Sequence, residues 1–232
     1  MIKSFCDKIK SSIRETGAIN IVCFGDSVTH GDFGACYGNL SDISVFGAYP
    51  AKLHRMLETI CPGRTFNVIN SGIGGENATT ALPRFERDVL SHHPDLVIIA
   101  FGVNDFGSKE VYLLSLGTMF DKLNELNIPC IYMTEHTMNF YRDEATVQCI
   151  YEYAAVTAKA QTDGTMDDLF DAGIAFAKEK GVYVCDVYHR WKAMHDAGID
   201  TTRLLANRIN HPIPEMHDLF VWSLIETIFF DN

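Results

Sequence analysis

Short apolar segments alternate along the chain with longer segments of helical period. Most of the apolar segments are rich in valine and isoleucine and are apolar on both faces, which is typical of buried parallel strands. They are Ala18–Phe24, Phe66–Asn70, Asp95–Phe101, Pro129–Thr134 and Val182–Val187. The pattern therefore predicts a sheet of five strands.

Apolar residues also recur at intervals of three and four, which predicts helices with one buried face. The final predicted helix, Glu215–Phe230, has Leu219, Trp222, Ile225 and Phe229 on one side. The other predicted helices are Tyr49–Ile60, Val111–Leu126 and Met166–Lys180.

Strands that alternate with helices predict a three-layer α/β/α sandwich with a mainly five-stranded parallel sheet. In such sheets ligands bind beyond the carboxyl ends of the strands. Asn39–Ser44 and Asn139–Ala160 lack a regular period, so we expect loops there, over the binding site. Since the chain has no linker or internal repeat, we expect a single domain over residues 1–232.

Charge and composition indicate which partners the protein can bind and in which cellular compartment it is expected. The net charge of −11 argues against nucleic acid or an anionic membrane as the main partner, because both bind clustered lysine and arginine. The N-terminal segment has no apolar run of signal-peptide length, and no segment has the ~18 apolar residues of a membrane span. The seven cysteines are scattered and form no CxxC pair, so we expect reduced thiols in a cytoplasmic protein without a metal site.

Two predicted strands end in segments that can carry chemistry. The first ends in "CFGDSVTHG", which places Ser27 at the carboxyl edge of the sheet, although Asp26 or Ser27 is also a suitable helix cap. The second ends in "NSGIGGENATT", whose glycines allow backbone N–H groups to approach a ligand closely; the alternative is a plain turn.

Two further segments reach the same edge. The third strand ends in "AFGVNDFG", where the Asn104 amide is a neutral hydrogen-bond donor or, alternatively, part of an Asn-Asp turn. His211 lies in "INHPIPEMH" before the final helix, where it is either a general base or a structural residue.

In this order the four segments resemble the SGNH (GDSL-type) hydrolase family of esterases and acylhydrolases. The resemblance covers most of the chain and rests on "FGDSVTHG" with the downstream helix "AYPAKLHRML", on "NSGIGGENATT", on "DLVIIAFGVND" and on "NHPIPEMH". It implies the flavodoxin-like sandwich of that family, with no cofactor and no metal.

The resemblance also implies catalytic roles. Ser27 would be the nucleophile, and His211 the base that takes its proton. The oxyanion of the tetrahedral intermediate would be held by the backbone N–H groups of Ser27 and Gly75, with Gly74 as the near alternative, and by the side chain of Asn104. We further expect Asp26, Gly74, Glu135, His136 and Arg208 to contact the substrate.

One position departs from the family pattern. The family usually has an aspartate three residues before the histidine, where it orients the ring, but this chain has Arg208 there. Either a backbone carbonyl or an asparagine holds the ring of a Ser–His dyad, or a carboxylate from elsewhere does so, with Glu215, Asp218 and Glu135 as candidates, or the site is weakened.

The resulting hypothesis is a serine esterase that hydrolyses carboxylic esters through an acyl-enzyme. The resemblance implies short O-acetyl esters of carbohydrates or other small molecules as substrates. The segment Gly31–Phe46 is polar and rich in glycine, which suits a short acyl group better than a fatty chain. The alternatives are a lysophospholipase or thioesterase of the same fold, and a binding protein with weakened catalysis. The sequence leaves open whether identical subunits assemble.

Overall fold

The strands form one five-stranded parallel sheet with the order β2-β1-β3-β4-β5. The structure is a computed structural model that describes residues 1–34 and 42–230. The strands are β1 Ile19–Gly25, β2 Phe66–Gly72, β3 Leu96–Ala100, β4 Cys130–Met133 and β5 Tyr183–Cys185. All five lie within two residues of the predicted bounds, and the predicted fold class is confirmed.

The helices follow the predicted order, with short additional turns. Tyr49–Ile60 has the predicted bounds, and the other long helices differ from prediction by one or two residues at each end. The α-helices are α1 Lys3–Lys10, α2 Ile13–Thr16, α3 Ser27–His30, α4 Tyr49–Ile60, α5 Ala78–Ala81, α6 Phe85–Asp88, α7 Lys109–Glu125, α8 Tyr153–Thr162, α9 Thr165–Glu179, α10 Val187–Asp196 and α11 His217–Phe229.

Two groups of helices pack against the sheet. Helices α4 and α11 contact each other, α4 against β2 and α11 against β5. Helices α7 and α9 form a second contacting pair, and the Tyr132 ring of β4 packs edge-on against Phe120 of α7. Burying a helix face on the sheet removes apolar side chains from water, which is the main force that holds these layers together.

Burial on both faces is confined to the central strands. All five residues of β3 and all four of β4 are buried, and β1 is buried except for Asn20. The edge strands β2 and β5 are partly exposed, since each has a neighbour on one side alone; Tyr183 in β5 is 38% exposed. The expectation of fully covered strands therefore holds for the centre of the sheet and is wrong at its edges.

Two other predictions need correction. Trp222 lies on the solvent side of α11 and is 55% exposed, because the buried face of this helix is formed by Phe220, Leu224 and Ile228. The predicted loop Asn139–Ala160 contains the start of α8, which packs against α9. Of the predicted loop Asn39–Ser44, residues 39–41 lie outside the described residues.

The cysteines follow the prediction in part. Cys6, Cys23, Cys61, Cys130 and Cys185 are not disulfide-bonded. Cys149 is disulfide-bonded, so the expectation of reduced thiols is wrong at this position. Within the described residues, no helix has the length and apolar character needed to cross a membrane.

The contact between α9 and β4 yields a test of core packing. A Cβ atom on Gly173 would lie closer than 3.0 Å to the Tyr132 hydroxyl, which is fixed by a 2.7 Å hydrogen bond with Tyr112. We expect Gly173→Ala to lower the free energy of unfolding by about 1–3 kcal/mol through overpacking, measured by urea denaturation.

The matched control is Ala175→Gly at an exposed position of the same helix. Helix propensity alone favours alanine over glycine by about 1 kcal/mol, so the control should lose about that amount. A Gly173→Ala variant more stable than the wild type would contradict the proposed contact.

Candidate active site

Ser27 stands just beyond the carboxyl end of β1, which lies between β2 and β3 in the sheet. The chain turns at Gly25, where a Cβ atom would lie closer than 3.0 Å to the Thr29 side chain and to the Ala100 carbonyl oxygen, so the turn requires glycine. Asp26 then caps α3, its carboxylate accepting a 2.9 Å hydrogen bond from the Val28 N–H. The resulting turn holds Ser27 at the first position of the helix, almost buried at the floor of a cavity.

His211 reaches Ser27 from the loop that precedes α11. Its Nε2 lies 2.9 Å from the Ser27 Oγ, and its Nδ1 lies 2.7 Å from the carbonyl oxygen of Gly34. The loop is held by the Asn207 side-chain oxygen, which accepts hydrogen bonds from the backbone N–H groups of Ile209, Asn210 and His211. The structure thus brings together the predicted nucleophile and the predicted base.

The glycine loop after β2 supplies backbone N–H groups beside Ser27. Gly75 lines the cavity with a φ of 80°, a conformation that favours glycine. A Cβ atom on Gly74 would lie 3.8 Å from the Cβ of Ser27, so Gly74 adjoins the same point. In the described part of the chain, the backbone N–H groups of Ser27 and Gly75 donate to no protein acceptor and stay available to a ligand.

Asn104 also lines the cavity, but its amide is already engaged. The Nδ2 atom lies 3.0 Å from the Asp26 carboxylate and 2.9 Å from the Glu76 carbonyl oxygen. Both N–H bonds of the amide therefore have acceptors in this structure. An oxyanion can receive a hydrogen bond from Asn104 once it displaces or shares one of these acceptors.

The cavity combines these polar groups with apolar walls. Its volume is about 370 Å³, which lies within the usual range for small-ligand pockets. It is lined by Ser27, Asp32, Gly34, Gly75, Asn104, Cys149, Ile150, Tyr153, Asn207, Ile209, Asn210 and His211.

Buried carboxyl groups lie directly behind the cavity. Burial raises the pKa of Asp26 to about 7 against a hydrogen bond from the Val28 N–H, which lowers it. Burial also raises the pKa of Glu135 well above its usual range, and the neighbouring charge of Asp26 adds to this increase. The next acid, Asp105, has its pKa raised by burial to about 7. The site therefore holds protons on carboxyl groups at neutral pH.

The histidines respond to burial in the opposite direction. Burial lowers the pKa of His211, while the charge of Asp32 and the Gly34 carbonyl act to raise it. Burial also lowers the pKa of His217 to about 3, and its Nδ1 accepts a 3.1 Å hydrogen bond from the Tyr49 N–H. A neutral imidazole is the form that can accept a proton from a neighbouring hydroxyl.

None of the five predicted substrate contacts lines the cavity: Gly74 adjoins Ser27, and the other four side chains are engaged elsewhere. Asp26, Glu135 and His136 are fully buried and do not line the cavity. Glu135 accepts a 2.8 Å hydrogen bond from the Val103 N–H, and the His136 ring lies 5.1 Å from that of Trp191. The fourth residue, Arg208, also lies outside the lining. Its guanidinium donates to the backbone carbonyls of residues 203 and 205.

The ring of His211 is held by a backbone carbonyl, which is one of the predicted alternatives, because its Nδ1 lies 2.7 Å from the Gly34 carbonyl oxygen. None of the three predicted carboxylates contacts the ring. The candidate Glu215 is exposed, and Asp218 pairs with Lys52. Glu135 is occupied inside the core. The carboxylate that faces the ring is instead Asp32, with 4.0 Å between its Oδ1 and the His211 Nδ1. Its position five residues after Ser27, in a loop at the same sheet edge, is the signal that would have identified it.

The fold and the site define an α/β/α protein with a serine–histidine pair at the carboxyl edge of a parallel sheet. Residues 23–219 match the model of the GDSL-like Lipase/Acylhydrolase family. The chain belongs to this family, as its four segments predicted. In the described residues, no cluster of three or more histidine, cysteine, aspartate or glutamate side chains is arranged to hold a metal ion.

Individual relatives come from bacteria. An acetylxylan esterase of Geobacillus stearothermophilus is 31% identical over 85 residues, which are 37% of this chain and 39% of that protein. The solved structure of the R55A mutant of the acetyl-xylooligosaccharide esterase Axe2, from Geobacillus, has a TM-score of 0.69 at 21% identity and covers 92% of this chain and 95% of its own. A lipase/acylhydrolase from Enterococcus faecalis has a TM-score of 0.67 at 22% identity, with 90% and 95% covered.

The buried acid Asp105 gives a test of the site's electrostatics. Its Oδ1 accepts a 3.0 Å hydrogen bond from the Ala78 N–H, which Asn can also accept. A carboxyl whose folded pKa of about 7 exceeds its unfolded value of 3.8 destabilises the fold progressively as pH rises between these values. Asp105→Asn removes this loss. Its stability relative to the wild type should therefore increase between pH 4 and pH 7 by an amount on the order of 2–4 kcal/mol.

The measurement is urea denaturation of both proteins at several pH values. The control is Glu144→Gln, which removes a carboxylate at an exposed position. A stability difference between Asp105→Asn and the wild type that does not change with pH would contradict the raised pKa.

Proposed function

We propose that this protein is a serine esterase that hydrolyses carboxylic esters through an acyl-enzyme. The observation that carries the proposal is the 2.9 Å contact between the Ser27 Oγ and the His211 Nε2. The Nδ1 of the same ring faces the Gly34 carbonyl oxygen, which accepts hydrogen bonds and cannot donate them. Nδ1 therefore carries the proton, and the lone pair of Nε2 is directed at the serine hydroxyl.

The first half of the reaction uses this pair. Ser27 attacks the ester carbonyl as His211 takes its proton, and negative charge forms on the former carbonyl oxygen. The free N–H groups of Ser27 and Gly75 bind that oxygen, and Asn104 adds a third donor by exchanging the Glu76 carbonyl for it. His211 then returns the proton to the departing alcohol. In the second half, water attacks the acyl-serine as His211 takes its proton; the bond to the Ser27 Oγ then breaks, the acid leaves, and His211 returns the proton to Ser27.

The cavity supports a small acyl group on a polar alcohol. Asn207 and Asn210 line it together with the apolar side chains of Ile150 and Ile209. Such a wall provides hydrogen-bond partners for hydroxyl groups and a short apolar surface for an acyl chain. The similarity to an acetylxylan esterase also supports a short acyl group on a carbohydrate. We therefore propose O-acetylated carbohydrates or similar small molecules as substrates.

Removal of the nucleophile tests the proposed reaction. Ser27→Ala should lower kcat for p-nitrophenyl acetate by at least about 10³-fold, because no other group forms the acyl-enzyme. The wild type should also gain one fluorophosphonate adduct on Ser27, detected by mass spectrometry, and the variant none. Ser91→Ala, at an exposed position before β3, is the control and should behave as wild type. Wild-type activity in Ser27→Ala would refute the proposal.

The proposed substrate class is tested separately by acyl length. The value of kcat/KM for p-nitrophenyl acetate should exceed that for the decanoate ester by roughly tenfold or more, because a short acyl group fits the cavity without displacing its polar lining. Release of acetate from acetylated xylo-oligosaccharides, measured in the same samples, checks the alcohol side. Preference for the decanoate ester would favour a lysophospholipase or thioesterase of this fold.

A further inference from the structure

The position that usually carries the acid of this family cannot serve that purpose here. Arg208 occupies it with a φ of 62°, in the left-handed region. Its guanidinium donates to the carbonyl oxygens of Arg203 and Leu205, at 2.6 and 3.0 Å. Both contacts lie within its own loop, so this position supplies His211 with neither a carboxylate nor an acceptor.

The opposite wall of the cavity supplies His211 with both a hydrogen-bond acceptor and a carboxylate. The Gly34 carbonyl oxygen accepts from the His211 Nδ1 at 2.7 Å, and the Asp32 Oδ1 lies 4.0 Å from the same nitrogen. Asp32 also accepts a 2.8 Å hydrogen bond from the Gly34 N–H. One carboxylate oxygen thus fixes the peptide that contacts the ring and lies within Coulomb range of the ring itself.

The backbone of Asp32 is tied to the nucleophile. Its N–H donates a 3.0 Å hydrogen bond to the carbonyl oxygen of Ser27, the first residue of α3. The Asp32 side chain is 28% exposed, and the His211 side chain is 12% exposed. The carboxylate is in contact with water, while the ring that it faces is shielded from it. The distance from serine to acid is therefore set by one short segment.

We propose that Asp32 replaces the missing family aspartate as the positioning residue of His211, acting through the Gly34 peptide and through its charge. The proposal rests on the esterase mechanism above. Asp32 does not touch the reacting atoms: it holds the acceptor that selects the Nδ1–H tautomer, and its negative charge stabilises the imidazolium that forms when Ser27 gives up its proton. No proton is transferred to Asp32.

The charged and titratable groups around the ring define the expected pH response. Three titratable groups face His211: Asp32 lies in the loop after α3, His217 lies in α11, and His136 lies in the segment after β4. The charge of Asp32 acts to raise the pKa of His211, against the burial that lowers it. Removing this charge should therefore lower the pKa of the ring and shift the acid limb of kcat/KM toward lower pH.

Three substitutions separate the two roles of Asp32. Asp32→Asn retains an oxygen that accepts from the Gly34 N–H but loses the charge, Asp32→Ala loses both, and Asp32→Glu retains the charge. The kcat/KM plateau should fall about 10-fold in Asp32→Asn and further in Asp32→Ala, well short of the ~10⁴-fold loss caused by neutralising a directly bonded triad aspartate. Asp32→Glu should restore the acid limb to its wild-type position.

The matched control is Glu215→Gln, which removes one negative charge at an exposed position four residues after His211. Its pH profile should match the wild type. The pKa of His211 is measured independently by NMR titration, and it should fall in Asp32→Asn. This readout does not require turnover, so it separates failure of the present proposal from failure of the esterase assignment, which Ser27→Ala tests.

An Asp32→Asn enzyme that folds, retains the wild-type plateau and shows an unchanged His211 pKa would overturn the proposal. The same conclusion would follow if Asp32→Glu and Asp32→Ala were equally impaired with the same acid limb, because the charge would then have no role. Circular dichroism of each variant verifies that the fold is retained.

Discussion

The hydrogen bond between the His211 ring and the Gly34 carbonyl is the contact on which the candidate site depends. A histidine on a loop can rotate and can carry its proton on either nitrogen, and one combination alone leaves a lone pair directed at Ser27. A carbonyl acceptor 2.7 Å from Nδ1 selects that combination. The oxygen-to-nitrogen distance of 2.9 Å at the other side of the ring follows from it. The backbone of the loop is fixed independently by the Asn207 side chain.

The strand order explains why these distant segments converge. In the sheet, β1 lies between β2 and β3, the two strands whose following loops carry Gly75 and Asn104. All strands are parallel, so their carboxyl ends lie at one edge, and the serine after β1 is flanked on both sides by hydrogen-bond donors. The loop before α11 is brought over this edge because α11 packs against α4 and β5. The strand topology therefore determines where the site lies, and the loops that follow the strands supply its residues.

The sequence predicted the parts of this arrangement that depend on local pattern. Apolar periodicity predicted the strands, and the sequence motifs predicted the site segments. The structure brings together the residues of those motifs, which are Ser27, Gly75, Asn104 and His211. The direction of a side chain beyond a strand end is not encoded in spacing. Glu135 and His136 follow β4 at the same edge, yet both point into the core. Contacts through backbone atoms, such as the Gly34 carbonyl, leave no signature in residue identity.

The replacement of an aspartate by Arg208 changes the balance of forces at the ring more than its geometry. A carbonyl oxygen orients an imidazole as well as a carboxylate does, but it carries a partial charge and stabilises an imidazolium less. Burial makes this difference larger, since it disfavours the protonated ring that the proposed mechanism requires. A carboxylate near the same nitrogen opposes that effect without forming a direct bond. Orientation and charge, which the usual triad combines in one residue, are here divided between a peptide carbonyl and a neighbouring acid.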